Sequence, residues 1–151
     1  MIHRNTKGAF FLCCFRVSAF FTKNVFFRII GFPIRLLYRF FIQWILGIDI
    51  PDTTKIGKHF NIYHGFGIVI NEKVVIGDNV IIRQCTTIGN STATSGYPII
   101  ESDVDIGANV VIIGSIIIGE NSTIGAGSVI TKNIPTNSVV VGNPARVIKT
   151  K

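Results

Sequence analysis

Acidic side chains are missing from the first third of the chain. Residues 1–48 carry Arg4, Lys7, Arg16, Lys23, Arg28, Arg35 and Arg39 without a single aspartate or glutamate, while residues 49–151 carry eight charges of each sign. The whole formal excess of +7 therefore belongs to the N-terminal segment. The balanced remainder offers no basic face for a polyanion, so no nucleic-acid partner is expected. Cysteine is also scarce. Cys13, Cys14 and Cys85 are too few and too unevenly placed for a disulfide framework or a zinc set, which fits a reducing, cytoplasmic setting. Long apolar runs are absent as well: a membrane-crossing helix needs about 20 predominantly apolar residues, and Arg16, Lys23, Arg28, Arg35 and Arg39 interrupt every candidate window. A cleaved leader is not expected either, because no small-residue cleavage site separates the apolar stretch from Leu46-Gly-Ile-Asp-Ile-Pro51.

What the sequence does have is an isoleucine every six residues. Ile50, Ile56 and Ile62, then Ile70, Ile76, Ile82 and Ile88, then Ile100, Ile106, Ile112, Ile118, Ile124 and Ile130 fall in phase, with a two-residue insertion before Ile70 and an excursion before Ile100. Neither a helix nor an alternating strand has this period. A short fixed period means stacked units that bury their apolar side chains only against their neighbours. Three hexads close one triangular coil of about 18 residues, and the expected fold is a mainly β, left-handed parallel β-helix. Val74, Val80, Thr86, Val104, Val110, Ser122 and Ser128 fill the space beside the isoleucines. The glycines that follow six of them, at 57, 77, 89, 107, 119 and 125, or asparagines, are expected at corners needing positive φ. Strands about 4.8 Å apart make the prism roughly 20 Å tall, and so short a prism with flat faces is expected to associate.

Residues 1–48 form a basic, aromatic helical arm on the prism of residues 49–151. Helices are expected over 7–22 and 34–46, separated or kinked at Gly31 and Pro33. The arm holds ten of the twelve phenylalanines and the lone tryptophan, Trp44. Asn24, Arg28, Arg35, Arg39 and Gln43 make a polar stripe on this apolar surface, the pattern of a helix lying in a bilayer interface. The other reading is packing against the prism base or between copies.

The repeats, ending in Ile-Gly-Ala-Gly-Ser-Val-Ile-Thr-Lys-Asn-Ile-Pro (124–135) and Val-Gly-Asn-Pro-Ala-Arg-Val-Ile (141–148), resemble those of the hexapeptide-repeat acyltransferases. Leu46–Pro51, Tyr63–Asn71 and Thr86–Asn90 are most similar to serine acetyltransferases and to their short relatives that O-acetylate capsular and exopolysaccharides. The insertion makes His64–Val69 bulge from a corner, and counting 18 residues from Asp49 places its carboxylate one coil beneath that bulge. A carboxylate near an imidazole fixes its tautomer and raises its basicity. The resemblance implies that Asp49 and His64 are the catalytic pair, that acetyl-coenzyme A is the co-substrate without a metal, and that the enzyme is a homotrimer. It also implies a coenzyme groove between subunits lined by Gly89, Ala108 and Ala126, with Thr131, Lys132 and Lys149 near the nucleotide end. For Thr131, Lys132, Lys149 and Arg146 the alternative is a solvated terminal coil. Residues 89–98 should leave the prism as a loop, and the tail from Asn133 should cap it. Cys85 is expected to be structural, in a face position without an adjacent base.

In the acceptor region the sequence departs from the serine enzymes. They carry an acidic residue before the catalytic histidine and an Arg-His pair before the loop proline, where this chain has Tyr63, Gly96 and Tyr97. Serine would lose its charged partners, whereas tyrosines suit a neutral sugar ring. The expectation is O-acetylation of a lipid-linked or nucleotide-linked saccharide of surface-polysaccharide assembly at the cytoplasmic membrane face, with serine O-acetylation as the alternative. Two further readings are a silent membrane-bound scaffold and a zinc lyase similar to the γ-class carbonic anhydrases. The last would use His59 and His64, but the remaining histidine, His3, lies in the arm.

Overall fold

The computed structural model describes residues 6–90, Thr92 and 96–151. The phased isoleucines close a three-faced left-handed parallel β-helix. Face one stacks β1 (Ile48–Asp49), β4 (Ile68–Ile70), β7 (Thr87–Gly89), β10 (Val111–Ile113) and β13 (Val129–Ile130). Face two stacks β2 (Lys55–Ile56), β5 (Val75–Ile76), β8 (Ile99–Ile100) and β11 (Ile117–Ile118). Face three stacks β3 (Asn61–Tyr63), β6 (Ile81–Arg83), β9 (Asp105–Ile106), β12 (Thr123–Ile124) and β14 (Ser138–Val141). The C-terminal strand β15 (Arg146–Thr150) turns back antiparallel on β14 and caps that face. All thirteen phased isoleucines are buried, none more than 9% exposed, and the seven small or β-branched fillers are buried beside them. Filler hydroxyls that leave water regain partners: Ser122 donates to Pro135 O at 3.0 Å and Ser128 to Gly125 O at 2.7 Å.

Strand register shows where length varies. Ile48 pairs with Ile68, Lys55 with Val75 and Asn61 with Ile81, so the first coil takes 20 residues on every face. Thr87 pairs with Val111, Val75 with Ile99 and Ile81 with Asp105, a 24-residue coil that expels six residues through the loop at 89–98. Ser91 and residues 93–95 of that loop lie outside the described residues. Val111 to Val129 restores 18.

The corners differ from expectation in one respect. Positive φ is held by asparagines, as expected, at 79, 109, 121 and 137, and also by His59, His64, Cys85 and Asp103, but not by the glycines at 57, 77, 89, 107, 119 and 125. Five of those glycines, all but Gly89, serve close approach instead. A Cβ at Gly107 would lie 2.6 Å from Ala126 N, and one at Gly119 would lie 2.5 Å from Thr136 N. Cys85, expected in a face position, is an exposed corner residue at φ 56°.

The arm contains α1 (Thr6–Phe20), α2 (Val25–Ile30) and α3 (Phe32–Tyr38), the last running on as a π-helical segment, Arg39–Ile45. The break expected between two helices is thus itself partly helical. Asn24 caps α2 by accepting from Phe27 N at 3.0 Å. At the elbow, a Cβ on Gly31 would fall 2.3–2.5 Å from the Phe21 side chain, so only glycine fits there. Phe11, Phe15, Tyr38 and Ile42 join the prism core through Phe60, with the Phe11 and Phe15 rings stacked 5.8 Å apart.

Polar clamps complete the seam between arm and prism. Arg35 pairs with buried Asp52 at 2.7 and 3.1 Å, and Ser18 donates to the same carboxylate at 2.7 Å. Tyr38 donates to Ile50 O at 2.7 Å, while Arg16 donates to Ile56 O at 2.9 Å and also to Gly57 O. Burial, foremost, raises the Tyr38 hydroxyl's pKa.

Candidate active site

The edge where face three turns into face one carries the inserted residues. Between β3 and β4 the chain runs His64-Gly65-Phe66-Gly67, entering and leaving through left-handed backbone at His64 (φ 57°) and Gly67 (φ 62°). Gly65 is buried: its Cβ would stand 2.9 Å from Ile48 Cδ1. The backbone therefore closes inward while the His64 side chain stays exposed.

Above the bulge, Cys85 N–H donates to Phe66 O, Asn109 N–H to Gln84 O and Gly127 N–H to Ala108 O. This ladder sets Phe66, Gln84, Ala108 and Ala126 in one column along the edge. Ala108 and Ala126 were named from the sequence and Gln84 was not, although subtracting the 24-residue coil from position 108 reaches the same column. The Gln84 side-chain Oε1 is buried without a hydrogen-bond partner. One residue earlier, Arg83 pairs with Tyr63 across β6 and β3 and holds its guanidinium carbon 6.0 Å from the Tyr63 ring centre. Asp105 fixes that guanidinium by an ion pair, and Ile106 O accepts from it at 3.0 Å.

The remaining predicted residues lie elsewhere. Gly89 pairs with Ile113 at the other edge of face one, and Thr131 follows β13 in the same column, with Lys132 next to it, both exposed. Tyr97 re-enters the prism near that second edge, half-buried, with Lys73 Nζ 5.3 Å from its ring centre. Lys149 sits on β15 opposite Val139 at the far end of face three. One chain thus presents His64, Tyr63, Ala108 and Ala126 on one edge and Gly89, Tyr97, Thr131 and Lys132 on the other.

Asp49 requires a correction. The two inserted residues lengthen the coil, so Val69, not position 67, lies over Asp49 on face one. Its side chain is exposed. Among the described residues the ion pairs are Arg35 with Asp52 and Arg83 with Asp105, and Asp49 and His64 form none within one chain. His59 occupies the corner between faces two and three, a different corner from His64, and His3 lies outside the described residues. Among the described residues no three His, Cys, Asp or Glu side chains converge as metal ligands.

The bacterial transferase hexapeptide model, a six-repeat pattern, matches residues 97–132. The chain is 42% identical over 144 residues to the Escherichia coli (strain K12) protein named "Putative colanic acid biosynthesis acetyltransferase WcaB", covering 89% of both chains. The chain is a hexapeptide-repeat transferase. It is therefore an acyltransferase.

Serine acetyltransferases are relatives within this family. The Bacillus subtilis (strain 168) enzyme is 43% identical over 108 residues, which span 70% of this chain and half of that one. Soybean serine acetyltransferase superposes with a TM-score of 0.82 at 33% identity over 95% of this chain and 58% of its own. A coenzyme A complex of the Brucella abortus strain S19 serine acetyltransferase superposes with a TM-score of 0.79 at 29% identity, over 93% of this chain and 55% of that one. This hexapeptide-repeat transferase thus spans about half the length of these serine enzymes.

Proposed function

We propose that the protein moves acetyl from acetyl-coenzyme A to a hydroxyl of a saccharide intermediate in surface-polysaccharide biosynthesis. The observation that carries the acceptor assignment is Tyr63 beside His64, backed by the Arg83 guanidinium 6.0 Å from its ring. With that guanidinium neutralised by Asp105, the position offers no charged partner to the ammonium of an amino acid, whereas the half-buried ring suits the apolar face of a sugar. His64 is the general base: it takes the acceptor's hydroxyl proton as the oxygen attacks the thioester carbonyl. When the carbon–sulfur bond breaks, the imidazolium returns the proton to the thiolate. Asp49, which makes no ion pair with it in one chain, is assigned as its electrostatic partner on the likeness of Leu46–Pro51 to the serine acetyltransferases. Ala108 and Ala126 leave room for the pantetheine against the edge, and the Thr131, Lys132 and Lys149 side chains attend the nucleotide phosphates. Since one chain carries the two half-sites on opposite edges of one face, the working unit is a homotrimer in which the edge of one copy meets the complementary edge of the next. The arm provides peripheral contact with the cytoplasmic face of the membrane, where such saccharides are assembled.

The test is coenzyme A release with L-serine set against lipid-linked and nucleotide-linked glycans. Turnover on a glycan is expected. Efficient acetylation of serine, with none on any sugar, would assign the protein to cysteine biosynthesis instead.

A further inference from the structure

The arm is built inside out. A helix that only packs on a neighbour buries its apolar stripe and gives its charges to water. Here Arg16 and Arg35, two of the arm's cations, turn inward to prism carbonyls and to Asp52. Beyond the seam formed by Phe11, Phe15, Tyr38 and Ile42, most of the arm's apolar side chains face outward. Nothing in α2 is buried, and its Val25, Phe26 and Ile29 are 67–71% exposed. Phe32 is 63% and Trp44 81% exposed. Phe20, Phe21, Phe26 and Phe27 join edge to face across the α1–α2 turn, so the surface is continuous there. Between α1 and α3 it includes an apolar groove of about 250 Å³ whose walls include exposed Phe10, Val17, Leu37 and Phe41.

Exposed apolar patches beyond a few hundred Å² mark an interface, and charge decides its partner. Lys7, Lys23 and Arg28 are exposed around these helices, with Lys23 Nζ 4.7 Å from the Phe20 ring centre, and residues 1–48 contain no acid. A second arm would bring the same charges against them, whereas an anionic bilayer brings phosphates at its surface and hydrocarbon beneath. No described helix is long and apolar enough to cross that bilayer.

We infer that α2, α3 and the segment ending at Trp44 lie in the surface of an anionic bilayer, with Phe26, Ile29, Phe32 and Trp44 in the acyl region and Lys23 and Arg28 at the headgroups. This deepens the peripheral contact proposed above and makes the lipid-linked class the acceptor, because the prism then stands directly on the carrier's membrane.

Trp44, the lone tryptophan, is a built-in probe. Full-length protein is mixed with vesicles of phosphatidylethanolamine and phosphatidylglycerol. Trp44 emission should shift to the blue, bromine-labelled acyl chains should quench it, and the protein should float with the vesicles. Binding should weaken with salt and with loss of phosphatidylglycerol. The Phe26→Ser/Ile29→Ser and Lys23→Gln/Arg28→Gln variants, which leave the buried seam intact, should each lower partitioning by about tenfold. Unchanged Trp44 emission and sedimentation away from vesicles would overturn the inference. So would concentration-dependent self-association that Phe26→Ser/Ile29→Ser abolishes while vesicle partitioning stays the same. Vesicle binding without turnover on any glycan would count against the acceptor proposal alone.

Discussion

Prism and arm solve opposite problems with the same residue types. In the prism, the phased isoleucines point inward and the charged groups, Asp52 apart, stay on the outer faces and corners, so each coil adds a buried layer. In the arm, apart from Phe11, Phe15 and Ile42 at the seam, most phenylalanines and isoleucines point outward while Arg35 and Ser18 reach inward to one buried carboxylate. The contrast teaches that apolar content alone does not locate a core. Ile29 and Ile112 are the same residue, one 70% exposed and the other fully buried.

If the chemistry lives wholly on the prism, the largest single effect should come from its inserted corner. His64→Asn, which tolerates the left-handed backbone, should cut coenzyme A release by about 10² to 10⁴-fold, with coenzyme binding and the melting temperature little changed. Asp49→Asn should cost less. Wild-type turnover in the His64 variant would remove the base assignment.

The comparison of cores can be broken next. Ile112→Ala should destabilise by about 2–5 kcal/mol, whereas Ile29→Ala should stay within about 0.5 kcal/mol, both read by chemical denaturation. Equal losses would mean that the arm's outer face is covered in solution.

A smaller loss than that of Ile112→Ala belongs to the seam. Burial pushes the Asp52 carboxyl up, but hydrogen bonds from Arg35 and Ser18 and the charges of Arg35 and Arg39 outweigh it, leaving it below its ordinary 3.8. A depressed folded value means a contribution that is complete above the unfolded pKa and is lost as pH falls through the folded one. Asp52→Asn should cost about 1.5–3 kcal/mol at neutral pH, and the gap from wild type should close below pH of about 3.8. A gap constant from pH 7 to pH 3 would show that the ion pair is not what holds the arm.

The prism was legible because its signal is local and periodic. The isoleucine phase, the inserted corner and the expelled loop all follow from counting, and Gln84 could have been reached by the same count. Asp49 was misplaced because an 18-residue step was applied across a 20-residue coil. The glycines were misread because close packing between coils, unlike φ, leaves no mark in one coil's sequence. In the arm, α2 had a readable cap in Asn24, but a six-residue helix beside Gly31 has little periodicity to show. The inward turn of Arg16 and Arg35 depends on Ile56 and Asp52, partners 40 and 17 residues away. The helical stripe counts Arg35 as a surface cation because it cannot see what lies across the seam.

The unequal coils have an evolutionary consequence. Two residues enter at one edge of face one and six at the other, yet every layer above resumes in phase. Lengthening such a loop costs little, because closure entropy grows only with the logarithm of its length. Segments at these two edges can therefore lengthen, shorten or change sequence as removable parts, while the coils stacked above them keep their register and their buried layers.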